Sequence, residues 1–120
     1  MTASDEDHPI RIESNPNRIR VVLGGTIVAE TTGALTLREA DHPPVFYVPR
    51  ADVALDLFDR TDRRSRCPYK GQATYYRVTA GGLERRDAAW SYEAPLAAAQ
   101  EIAGHLAFDP SKVDAIEELY

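Results

Sequence analysis

The sequence predicts a mainly β protein, a small antiparallel β domain with one short helix and no structural zinc. Three observations carry that expectation. β-rich runs recur along the chain, two Gly-Gly pairs stand where hairpin turns belong, and only the segment after Pro95 has clear helical propensity. Parallel strands need crossover connections of about a dozen residues or more, and one short helix cannot supply them. Cys67 is the sole cysteine, which excludes an intrachain disulfide and leaves no Cys-x-x-Cys pair for a zinc knuckle.

Each element follows from its residues. Residues 1–9 are polar and acidic and read as a disordered tail, with a single β domain over residues 10–120. Arg18 to Leu23 and Thr26 to Glu30 form a hairpin around Gly24-Gly25, a pair suited to the positive φ of a two-residue turn. Ala34 to Glu39 alternates as a half-buried strand, placing Leu35 and Leu37 on one face. Pro43-Pro44 then interrupts the pattern, and Val45 to Val48 is a short strand closed by Pro49. Arg50 to Asp59 reads as a turn entering a strand, and Thr61 to Arg66 as a charged loop. Ala73 to Thr79 is a strand leading into the Gly81-Gly82 turn, answered by Leu83 to Arg86 and Ala88 to Tyr92. The helix spans Leu96 to Ala103, with Pro95 at its start and Gly104 as its stop. His105 to Phe108 is one more strand, and Ser111 to Tyr120 ends as either a strand around Val113 or a frayed acidic helix.

The 120 residues suit one core, and 43% apolar with 28% charged residues is globular composition. A net charge of -5 and a pI near 5.1 argue against nucleic acid as a partner. No stretch is long and apolar enough for a membrane helix, and the start lacks the apolar run of a signal peptide. A cytoplasmic protein is expected, with a homodimer as the candidate assembly. Scattered His8, His42 and His105 offer no ligand spacing, so neither metal nor other cofactor is expected.

Candidate chemistry gathers in a few places. Cys67-Pro68-Tyr69-Lys70-Gly71 puts a thiol three residues from an ammonium, and nearby cations lower a thiol pKa. A lone cysteine is more often a buried small hydrophobe. Tyr47, Tyr75 and Trp90, with Tyr92 and Tyr76, supply rings and hydroxyls for a planar or sugar-like ligand, or equally for the core. Arg50, fixed behind Pro49, suits a carboxylate or phosphate, with a local ion pair to Asp52 or Asp56 as the plainer reading. His105 is available as acid, base or hydrogen-bond donor.

Four ordered motifs, His42 to Val53, Cys67 to Tyr76, Ala88 to Pro95 and Ile102 to Phe108, resemble the bacterial family called domain of unknown function 427. The resemblance covers about Arg18 to Asp114. It implies a fold similar to the β-tent, two antiparallel sheets leaning over a cleft, as in methionine-R-sulfoxide reductases and the thalidomide-binding domain of cereblon. The family sometimes carries a nucleotidyltransferase-like label. This sequence shows neither the glycine-rich phosphate cradle nor the paired acidic residues of that chemistry.

The expected function is binding of a small planar or anionic molecule in a cleft lined by Tyr47, Arg50, Lys70, Tyr75, Trp90 and His105. The alternatives are an enzyme using the Cys67 thiol, tuned by Lys70 or His105, and the nucleotidyltransferase-like activity that the family label implies.

Overall fold

The structure, a computed structural model, describes residues 9–120. Apart from Pro9, whose carbonyl accepts a 2.9 Å bond from the Ala40 amide, the expected tail lies outside the described residues. The mainly β, antiparallel expectation holds. Strands β1 (Ile10–Asn15), β4 (Ala34–Glu39) and β5 (Val45–Tyr47) form one sheet in the order β1-β4-β5. Strands β2 (Arg18–Leu23), β3 (Thr26–Thr31) and β10 (Ala115–Leu119) form a second, ordered β10-β2-β3. The third runs β6-β7-β8-β9, from β6 (Phe58–Cys67), β7 (Gly71–Ala80), β8 (Leu83–Ser91) and β9 (Leu106–Phe108).

The described residues therefore make three sheets rather than two. Pro16 has no N–H to give a ladder, and the Asn15 side chain takes the Asn17 amide at 3.0 Å, so the chain leaves one sheet and enters another. Strand β1 was not foreseen, because its sequence IRIESN has only two apolar residues. At the far end β10 pairs with β2, so the last segment is a strand, though it begins at Ala115 rather than around Val113.

One further expectation is corrected, and the short helix expected after Pro95 is present as a 3-10 stretch, Ala97–Ile102, broken at Ala99 (φ -125°, ψ 22°). Its buried residues, Ala99 and Ile102, stand three apart, and that spacing keeps one face on the core at three residues per turn. Thr61 to Arg66 is not a loop but the middle of β6, whose register to β7 is interrupted between Arg60 and Arg64. β6 pairs on one side only, and charges outnumber other residues along such an edge because they deter pairing with another chain.

The core has two lobes. One gathers Leu23, Val28, Val48, Phe58 and Val78 between the second and third sheets. The other holds Leu37, Tyr47, Ala73, Tyr92 and Ile102 between the first and third. Paired amide bonds between Val48 and Leu106, at 2.8 and 2.9 Å, stitch the first sheet to β9.

Candidate functional site

Where the three sheets meet, a cleft of about 440 Å³ opens. Its walls come from Ile19 and Val21 of β2, Ile116 of β10, Val45 and Phe46 of β5, and Trp90 of β8. The Pro43-Pro44 loop forms one lip. Among the lining side chains only Glu39 and His42 are ionisable, so the space suits an apolar body.

A second cleft of about 250 Å³ adjoins it and shares Leu37, Glu39, Val45 and Trp90. Its character is different. Tyr47, Arg63, Lys70, Tyr75, Asp87, Tyr92 and Asp109 line it. The Trp90 indole N–H donates to the Tyr47 hydroxyl at 3.2 Å, which orients both rings at the wall. Lys70 forms a short hydrogen-bonded ion pair with Glu39, and its ammonium lies 6.0 Å from the Tyr92 ring centroid. The Tyr75 hydroxyl meets Ser65 Oγ at 2.7 Å, and the Arg63 guanidinium carbon lies 4.4 Å from the Tyr75 ring centroid.

Two of the cleft's phenols, Tyr47 and Tyr92, are neutral near pH 7. Burial pushes Tyr47 above its ordinary pKa against the opposing Trp90 bond, and the Glu39 charge pushes it further. Burial does the same to Tyr92, with Tyr47 beside it. For Asp109 burial acts upward, but bonds from the Ser111 hydroxyl and amide, helped by Lys112 and Arg63, leave its carboxyl below the usual range.

Of the six ligand-binding residues expected from sequence, the fold brings Tyr47, Lys70, Tyr75 and Trp90 to one cleft. Arg50 and His105 line neither cleft. Arg50 pairs with Glu93 at 2.6 Å and donates through Nε to the Gly104 carbonyl at 3.1 Å, so its partner is neither Asp52 nor Asp56. His105 donates from Nδ1 to the Ala103 carbonyl at 3.1 Å. Cys67 is half-buried against the Leu37–Tyr47 lobe and also lines neither cleft.

Sequence reasoning missed Glu39, Arg63, Asp87 and Asp109. Arg63 was hidden by reading its segment as a loop, and the two aspartates sit at irregular backbone that no periodicity marks. Asp87 has φ 55°, within a break in the β7–β8 register. Among the described residues no group of three or more His, Cys, Asp or Glu side chains is placed to hold a metal, and no helix is long and apolar enough to cross a membrane.

Taken together, the three antiparallel sheets and the twin clefts beneath Trp90 define a small β domain with a mixed apolar and ionic recess. The chain belongs to the family described as domain of unknown function DUF427, whose model matches residues 11–119. No curated protein matches it.

Proposed function

We propose that this protein binds a small molecule whose planar, apolar body occupies the larger cleft and whose polar end reaches the smaller one. The carrying observation is that the two spaces are neighbours with a common wall, Leu37, Glu39, Val45 and Trp90 lining both. Small-molecule sites are concave, mainly apolar and furnished with a few directed polar groups, and this pair divides those tasks between its halves. The family resemblance implies a β-tent, whose sheets lean over a cleft, and the larger cleft here lies likewise between sheets, though three of them rather than two. Cys67 lines neither half, so this reading gives it no chemical role.

The test is a thermal-shift screen of a metabolite library, followed by NMR of each stabiliser. A ligand held at about a hundred times its dissociation constant adds about 2.7 kcal/mol of stability, which a melting curve resolves. The chain has one tryptophan, so one indole N–H signal reports on the shared wall. Stabilisers are expected to move the Trp90 signal, and to lose their effect when Val45→Phe crowds the wall that both spaces share. Stabilisers that leave the indole signal unmoved would overturn the reading.

A further inference from the structure

The sequence points to Arg50 and Lys70 as the cations of an anion site, but the fold gives each a carboxylate, Glu93 and Glu39. Arg63 differs from both. It lines the smaller cleft, and among the described residues its guanidinium makes no ion pair. Its position is built rather than incidental. β6 and β8 both depart from regular pairing near this point, and Thr61 ties them by donating to Asp87 at 2.6 Å. Irregular strand residues of this kind re-aim a side chain, and here Arg63 comes to lie over the Tyr75 ring. Tyr75 is itself fixed by Ser65.

The acids lining the same cleft are already engaged. Glu39 is held by Lys70, and Asp87 takes the Thr61 hydroxyl and stands 3.8 Å from Arg86. Asp109 accepts from the Ser111 amide at 2.9 Å and its hydroxyl at 2.7 Å. Their negative charge opposes a polyanion, yet leaves the planar guanidinium fork open to one carboxylate.

We infer that Arg63 recognises a carboxylate on the bound molecule, so that the ligand is a planar monocarboxylic acid. This rests on the reading of the twin cleft as a ligand site. The acid group would lie in the plane of the guanidinium at the edge of Tyr75, with the ring system running past Trp90 into the apolar half.

The experiment compares two probes of equal shape, 2-naphthoate and 2-naphthamide, by calorimetry and by the Trp90 indole signal. The acid is expected to bind more tightly. Arg63→Ala should weaken it about tenfold or more, as for loss of a charge-assisted bidentate contact, while leaving the amide unchanged. Arg63→Lys should restore only part of the loss, and Arg66→Ala, on the same strand but outside both clefts, should change neither probe. Melting curves of each variant verify the fold. Equal affinity for acid and amide, an Arg63→Ala variant that still prefers the acid, or one that loses both probes alike would overturn the role of Arg63 and leave the cleft reading standing. If neither probe binds or moves the Trp90 signal, the cleft reading falls and this inference with it.

Discussion

Gly24 and Gly81 meet backbone to backbone: a Cβ on Gly81 would lie 1.9 Å from the Gly24 carbonyl oxygen, and one on Gly24 would lie 2.4 Å from that of Ala80. The turn of the β2–β3 hairpin thus rests on the turn of the β7–β8 hairpin. Both residues also have positive φ, 60° and 58°. Contact between these turns fixes how the second sheet sits on the third, and so the walls of the larger cleft.

Gly81→Ala is therefore expected to cost more than the roughly 1–2 kcal/mol of placing an L-residue at left-handed φ, because backbone must also move. Gly82→Ala has the same φ penalty and open space around it, so it should cost no more than that penalty. Urea unfolding of both variants checks the difference. Equal losses would mean that the two turns yield to each other readily.

Lys70 and Glu39 tie the loop before β7 to the end of β4, with side chains only 11% and 13% exposed. Removing one partner takes the counter-ion from a charge in a poorly solvated place. Lys70→Met or Glu39→Leu alone should cost about 3 kcal/mol, and the double substitution much less than the sum. A double-mutant cycle measured by chemical denaturation gives the coupling directly.

The raised phenol of Tyr47 makes stability depend on alkaline pH. The unfolded tyrosine loses its proton near pH 10, while the folded one keeps it. The unfolded state thus releases the proton first, so this contribution is fully present below about pH 10 and is lost as pH rises toward the folded value. Tyr92 adds to the same trend. Stability measured between pH 8 and about pH 11 should fall at the upper end, and Tyr47→Phe should flatten the slope. The same variant deprives the Trp90 N–H of its partner, at about 1 kcal/mol at neutral pH.

Cys67 is half-buried and outside both clefts, so a thiol reagent should label it slowly in the native protein and fully after unfolding. Cys67→Ala is expected to cost roughly 1 kcal/mol of stability and to leave naphthoate affinity unchanged. Rapid native labelling below pH 7, with loss of binding in the variant, would return the thiol to the centre of the function.

Much of this protein was legible in its sequence wherever the signal is local. The Gly-Gly turns at 24–25 and 81–82 announce themselves because few other residues adopt positive φ. The alternation of Leu35 and Leu37 marks a strand and Leu37 is in the core, but Thr36 on the other face is buried too and Leu35 only half so, because this strand is covered on both sides. Tyr47, Lys70, Tyr75 and Trp90 were also identifiable as a group, since their motifs concentrate rings and charge. What the sequence could not decide was who meets whom. Arg50 and Lys70 look alike as free cations, yet each found a carboxylate 43 and 31 residues distant in the chain, and only the tertiary structure brings such pairs together. The charged middle of β6 looked like a loop because an edge strand has no second neighbour and is selected for charge. Its arginine at position 63 acquires meaning only when interrupted pairing turns it onto Tyr75. Local propensity is written in adjacent residues, whereas a site is made by long-range packing of segments whose sequences carry no record of their partners.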